Sequence, residues 1–347
     1  MTESNEINYS LDKNDIQIDY TTLTPRFSVT NIDSLNDGIT HLNEHGYAIF
    51  SDIMLPNEIN INKELLWNFL ENIPGRHIQR NDPTTWSNNW PGSDRFGIVN
   101  DGGIGQSDFM WNIRSNRNIK RVYSNIWNTN ELLVSFEGCG VYRNWYYEPK
   151  WKTTTGWYHV DQNPHLKPDR CCIQGFVSLT DQNETTGGLI VFPYTHLRFS
   201  ELKDLKHRSQ DFVVIPNTHS ILDNGRAIGK FIQCQAGDLV LWDSRLVHCN
   251  SSAFVYDERL KTQSIDFLRI VAYISMSPTT FVRDQTIDRF RKQRKLIAQN
   301  NGTTNHWSTE IIESSKSGST YNLPKISLEK LDGYQRALII GVNFDDE

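Results

Sequence analysis

Between residues 131 and 278 the chain is a succession of short apolar runs separated by turn residues. No other feature of the sequence constrains the fold as strongly. The runs fall at 132–137, 141–142, 171–179, 187–193, 211–215, 229–234, 238–242 and 267–276. Each has strand length, and Val, Ile, Leu and Phe recur through them. Even spacing with turns between predicts a mainly β chain whose core is an antiparallel jelly-roll or cupin-like barrel, flanked by helices. Gln235-Ala236-Gly237-Asp238 is a tight-turn signal just before the run at 239–242.

Two segments within this span carry groups with metal-binding chemistry. His159 and Asp161 stand two residues apart in Trp157-Tyr158-His159-Val160-Asp161-Gln162. On an extended strand, positions i and i+2 project to the same face, so an imidazole and a carboxylate can reach one ion. A second imidazole, His248, follows the apolar strand 238–242. Two His and one carboxylate can take one face of a non-haem Fe(II) and leave its other positions open. Each fragment alone has an ordinary structural explanation, and their joint occurrence carries the assignment.

The rest of the composition bounds the reading. The formal net charge is −6, without the basic excess of a general nucleic-acid binder. No stretch approaches eighteen consecutive apolar residues, so no membrane span is expected. The first eight residues lack a basic start and an apolar run, so they do not read as a secretory signal. The five cysteines form no CxxC pair and read as reduced, buried small residues of a cytoplasmic protein. Aromatic residues make up 11% of the chain, ten of them Trp, which suits an aromatic-lined cavity for a small-molecule substrate.

In chain order, residues 1–30 are polar and predict a flexible arm, and 31–347 a single domain. Within that domain, N-terminal helices occupy 31–128, the β core about 130–278, and a helical extension 283–347. Ile32, Leu35, Ile39 and Leu42 recur at helical spacing, 56–72 predicts a second helix, and 106–128 a third. The third carries Arg114, Arg117, Lys120 and Arg121 on its polar side, expected as a solvated face. Arg289, Arg291, Lys292, Arg294 and Lys295 on the helix at 283–300 are expected likewise. Residues 76–105 form a long loop with Trp86, Trp90 and five glycines. It reads either as a lid over a site or as a permanently packed loop.

Taken together, Trp157 to Gln162, Ile173-Gln174-Gly175, Gly187 to His196, Gly237 to His248 and Phe267-Leu268-Arg269 resemble the phytanoyl-CoA dioxygenase family. This family is a branch of the Fe(II)/2-oxoglutarate oxygenases. The resemblance covers about residues 130–278 and, more loosely, the N-terminal helices. It implies a double-stranded β-helix core, with His159, Asp161 and His248 as iron ligands and catalytic centre. It also implies 2-oxoglutarate and O2 as co-substrates, with succinate and CO2 released as a C–H bond is hydroxylated or otherwise oxidised. The carboxylate of Asp161 points to hydroxylation rather than halogenation, because related halogenases lack it.

An Arg clamp for the far carboxylate of 2-oxoglutarate is implied as well. Arg269 opens an apolar strand, where a planar guanidinium suits a buried carboxylate. It lies 21 positions after His248 (269 − 248), farther than the family spacing, while Arg259 lies 11 after (259 − 248). Arg259 sits in a polar loop that reads as an insertion, so Arg269 is preferred. Asn250 and Gln174 are candidate polar contacts to 2-oxoglutarate. Pro193-Tyr194-Thr195-His196 departs from the family's Pro-Gly-Ser-His, and His196 reads as a structural loop residue. Two other functions fit the fold: a metal-dependent cupin enzyme without 2-oxoglutarate, and a non-catalytic jelly-roll binding module. The substrate, whether acyl-CoA or free metabolite, and the oligomeric state are not legible in the sequence.

Overall fold

The computed structural model describes residues 9–87, 89–205, 211–222, 227–262, 266–283, 285–312 and 323–344. In chain order the strands are β1 (Tyr9–Leu11), β2 (Gln17–Asp19), β3 (Arg26–Ser28), β4 (Tyr47–Ser51), β5 (Ile98–Val99), β6 (Leu132–Val134), β7 (Cys139–Tyr142) and β8 (His159–Val160). They continue with β9 (Ile173–Ser178), β10 (Gly188–Val191), β11 (Val213–Val214), β12 (Gly229–Phe231), β13 (Leu239–Asp243), β14 (His248–Ser251), β15 (Arg269–Tyr273) and β16 (Met276–Pro278). The helices are α1 (Ile32–His45), α2 (Pro56–Glu71), α3 (Asp108–Arg114), α4 (Arg117–Trp127), α5 (Ile287–Gln299) and α6 (Gly333–Ile340).

One seven-stranded sheet runs β1-β2-β12-β10-β14-β8-β11, and the second runs β3-β4-β13-β9-β15-β7-β5. Residues of both sheets meet in one apolar layer: Ile49, Phe176, Val240, Trp242 and Val271 from the second, Leu189 and Val191 from the first. Alternation along each strand sets this up. On β13, Val240 and Trp242 enter the layer between the sheets, while Leu239 and Leu241 point outward against the helices. On β10, Ile190 turns outward into a separate cluster with Ile18, Phe192 and Phe231. Both faces are covered, so these strands read as nearly continuous apolar runs. Each fully buried Leu, Ile or Phe contributes about 1.5–3 kcal/mol by leaving water. The fold is thus the expected jelly roll with flanking helices.

Three local expectations change. Residues 9–28 are not a loose arm, because β2 pairs in parallel with β12 and β3 with β4. Ile18 and Val29 are fully buried. Arg26 donates to both carboxylate oxygens of Asp238, at 2.8 and 2.7 Å, and ties the segment to the turn before β13. Gly237 supplies that turn's left-handed residue at φ 94°. Residues 1–8 of the arm, and with them the expected absence of a leader, lie outside the described residues.

The expected helix at 106–128 is two helices. Asn116 ends the run by capping the second, its Oδ1 accepting from the backbone N–H of Asn118 and Ile119. Its basic side is only partly solvated. Arg114 is fully buried and donates to the carbonyls of Gly105 and Glu137, and Lys120 is buried as well.

Arg294 likewise departs from the expected solvated face of α5. It is 2% exposed and donates to the carbonyls of Ile339, Ser308 and Val134, at 2.6, 2.9 and 2.5 Å. One guanidinium thereby joins α6, the segment after α5 and β6. The Ser/Gly-rich link at 313–322 lies outside the described residues.

Candidate active site

β8 and β14 are antiparallel neighbours, and their register sets His248 directly opposite His159. Asp161 follows the end of β8 rather than lying within it, and its N–H bonds to the carbonyl of Ser244 at 3.2 Å. The three side chains converge. Asp161 Oδ2 lies 3.6 Å from Nε2 of His159 and 3.2 Å from Nε2 of His248. One ligand atom from each falls within 4.8 Å of the others.

Both rings are aimed from behind. Nδ1 of His159 is 3.0 Å from the carbonyl of Trp157, and Nδ1 of His248 is 2.9 Å from that of Leu246. Protonation at Nδ1 satisfies these carbonyls and leaves both Nε2 lone pairs for a cation. The Trp157 indole stacks on His159 at 4.5 Å and fixes its ring plane. Burial pushes the Asp161 carboxyl up, yet the facing imidazoles of His159 and His248 outweigh it and hold the group well below the usual range. Burial, together with the neighbouring His159, lowers His248, which favours the neutral imidazole that a metal needs. Two imidazole nitrogens and one carboxylate oxygen, all buried or partly buried, fit a divalent iron.

The triad opens on a cavity of about 460 Å³ between the sheets. Arg269 lies within it, 2% exposed, its guanidinium carbon 3.6 Å from the centre of the Tyr142 ring. The guanidinium donates to Asn250 Oδ1 at 2.7 Å and to the carbonyl of Ser251 at 3.2 Å. Arg269 Nε and Asn250 Nδ2 are buried with no hydrogen-bond partner among the described residues. Two orphaned donors beside a buried cation are costly unless an anion meets them, and a carboxylate is the group that fits. A dicarboxylic acid such as 2-oxoglutarate suits this end of the cavity. Arg259 lies elsewhere: its side chain is 87% exposed and paired to Asp257.

Gln174 lines the cavity, but its Nε2 donates to Asp161 Oδ2 at 2.9 Å. It orients the candidate iron ligand, whereas Asn250 sits beside the Arg269 guanidinium. His196 bonds through Nε2 to the carbonyl of Asn43 at 3.0 Å, away from the triad. Trp86 and Trp90 pack in an aromatic cluster with Trp67, Trp151 and Phe267, centroids 4.5–6.4 Å apart, over which Arg143 lies. Among the described residues of the 76–105 segment, only Ile98 and Asn100 line the cavity. Its tryptophans are packing residues in this state.

Glu137, Trp157, His306 and Ile312 escaped sequence reasoning. Glu137 lies in the bend between β6 and β7, and His306 in the irregular chain after α5, where neither motif nor periodicity marks them. Burial raises the Glu137 carboxyl to about 7, against the lowering by its bond from Ser135 and by nearby Arg114.

Fold and site together present a jelly roll with a two-histidine, one-carboxylate group that could hold a metal ion. The phytanoyl-CoA dioxygenase (PhyH) family model matches residues 116–252, a span that includes His159, Asp161 and His248 and ends before Arg269. That match, with the triad, supports a PhyH-like, non-haem iron, 2-oxoglutarate-dependent oxygenase. It is 26% identical over 264 residues to Ava biosynthesis cluster protein O of Aspergillus versicolor, covering 73% of this chain and 80% of that protein. A Dictyostelium discoideum protein named for the phytanoyl-CoA dioxygenases is 21% identical over 291 residues, with 74% and 79% covered. The crystal structure of a Salmonella typhimurium LT2 protein, by name an oxidoreductase, aligns at a TM-score of 0.57 and 13% identity over 92% of this chain and 86% of that one. That last likeness is one of fold. Among the described residues no helix is long and apolar enough to cross a membrane.

Proposed function

We propose that this chain hydroxylates, or otherwise oxidises, a C–H bond of a small cytoplasmic metabolite, with His159, Asp161 and His248 holding Fe(II) and Arg269 holding 2-oxoglutarate. The observation that carries this reading is the pair of unpartnered buried donors, Arg269 Nε and Asn250 Nδ2, in the cavity that the triad lines. A cupin enzyme without 2-oxoglutarate has no use for them, and a binding module has no use for a triad pre-aimed by backbone carbonyls.

Iron(II), 2-oxoglutarate and dioxygen together supply the oxidising power, with succinate and CO2 as by-products. The chain's own part is placement. His159 and His248 present Nε2 because their Nδ1 atoms are committed to carbonyls. Gln174 fixes one oxygen of Asp161 and so the direction of the carboxylate. Arg269, stacked on Tyr142, gives the far carboxylate of 2-oxoglutarate a charged donor in a site from which water is largely removed. Trp157, Phe212, Ile98 and Ile312 line the cavity and offer apolar surface to a substrate body. A volume of about 460 Å³ lies within the range of about 300–1,000 Å³ usual for small-molecule sites.

The test is succinate formation by purified protein given Fe(II), 2-oxoglutarate and air, compared with omission of each component. Iron- and 2-oxoglutarate-dependent succinate is expected even at a slow substrate-free rate. If iron binds with no binding or turnover of 2-oxoglutarate, the cupin reading replaces this one.

A further inference from the structure

The cavity has a second polar end, where residues inside the family match, Glu137 and Gly138, meet the segment after α5 that the match does not reach. The carbonyl and N–H of Phe136 bond to Thr304 on the segment after α5, and Arg114 holds the carbonyl of Glu137 from behind. Gly138 lets the neighbouring strand close in, since a Cβ there would sit 2.0 Å from the carbonyl oxygen of Val99. These contacts gather Ile98 and Asn100, Glu137 and Gly138, and Thr304, Asn305, His306 and Ile312 along the cavity wall.

Two polar atoms there have no partner among the described residues. Glu137 Oε2 accepts from the hydroxyls of Ser135 at 2.8 Å and Ser275 at 3.3 Å. Oε1 accepts from none of the described residues, and the side chain is partly open to the cavity. His306 lines the same cavity, half-buried, and its Nε2 atom is buried with no hydrogen-bond partner among the described residues. A buried imidazole nitrogen left unmade is costly unless a ligand completes it, and the half-buried carboxylate oxygen beside it can take the same ligand. The serines fix the carboxyl from the far side, and Arg114 offsets its charge from behind. The free oxygen is therefore presented to the cavity by a rigid support.

We infer that Glu137 and His306 form a substrate subsite that takes a hydrogen-bond-donating group, a hydroxyl or a protonated amine, on a compact and mainly apolar molecule. The apolar body lies along Ile98, Trp157, Phe212 and Ile312. Donors are selected because Glu137 offers only acceptor capacity when ionised, and an anionic group would face its carboxylate. This inference rests on the oxygenase reading for the position of iron and 2-oxoglutarate, and it adds the chemistry of the third component.

Four size-matched probes test it: benzylamine, benzyl alcohol, toluene and benzoate, added to anaerobic protein loaded with Fe(II) and 2-oxoglutarate. Relaxation of the probes' ring protons by the paramagnetic iron reports binding near the metal. Benzylamine and benzyl alcohol are expected to bind at least tenfold more tightly than toluene or benzoate. Glu137→Leu should abolish both preferences. The nearly isosteric Glu137→Gln, which keeps an acceptor oxygen, should lose the amine preference and keep that for the alcohol. Association of 2-oxoglutarate, followed in the same samples by isothermal titration, separates the two readings. Protein that binds no 2-oxoglutarate overturns the oxygenase reading. Protein that binds it yet shows no donor preference, or one unchanged in Glu137→Leu, overturns the subsite alone.

Discussion

His159 and His248 stand opposite one another as a cross-strand pair of β8 and β14, their ring centroids 4.3 Å apart. The hydrogen-bonded ladder, rather than either side chain, sets that separation. Removing one ring therefore leaves the other in place. His159→Ala and His248→Ala should each end succinate formation and weaken iron binding by more than the roughly 10–100-fold typical of losing an outer-shell partner. Far-UV circular dichroism should be unchanged, since the apolar layers do not depend on either ring. Full turnover by both variants after anaerobic iron loading would remove the triad from consideration.

Gln174 and Asn250 should behave differently, although both line the cavity. Gln174→Leu removes the donor to Asp161 and is expected to weaken iron affinity about 10- to 100-fold, with a smaller effect on 2-oxoglutarate. Asn250→Ala should act mainly on 2-oxoglutarate. Iron titration and 2-oxoglutarate titration of each variant resolve the pair, and an identical pattern in both would contradict these roles.

For the arginines, Arg269→Gln should raise the KM for 2-oxoglutarate by roughly 100-fold, corresponding to about 3 kcal/mol for a buried carboxylate deprived of its charged partner. Arg259→Gln, on an exposed loop, should leave KM within error. The opposite outcome would move the clamp to that loop.

Arg294 is expected to matter for stability. Arg294→Met leaves the carbonyls of Ile339, Ser308 and Val134 without their donor and should cost about 3 kcal/mol in urea denaturation. Arg289→Met on the exposed side of the same helix should fall within about 0.5 kcal/mol of the parent. Equal midpoints for the two variants would contradict the joining role of Arg294.

Glu137 gives a pH dependence. Its folded pKa of about 7 lies above its ordinary 4.5, so the folded state holds the proton more tightly than the unfolded chain. The associated stability is fully present below about pH 4.5 and is lost as pH rises through about 7. Arg114 and Asp161 are the charged groups that act on it. In chelator-treated protein, Glu137→Gln should remove a loss on the order of 2 kcal/mol between pH 5 and 8. Parallel stability profiles for variant and parent would show that Glu137 ionises normally.

The sequence by itself determined the strand series, the residues able to bind metal, and which of Arg269 and Arg259 lies buried on a strand. Each of these is local: alternation along a strand decides which side chains share a face, and an apolar strand distinguishes a buried arginine from one in a polar loop. Helix existence was legible for the same reason, but the break at Ser115 and Asn116 was not, because apolar spacing resumes across it and only the cap bonds end the first helix. The tertiary structure decided everything that depends on long-range pairing. Residues 9–28 are polar enough to read as an arm, yet β12 and β4 satisfy their backbone groups. Arg114 and Arg294 read as solvated charges until carbonyls from distant segments surround them. Gln174 became a partner of Asp161 only once β9 was placed. Glu137 and His306, 169 positions apart (306 − 137), share a cavity because Thr304 bonds to Phe136. No local pattern encodes such a meeting, since it is fixed by how the segment after α5 folds back across the sheets.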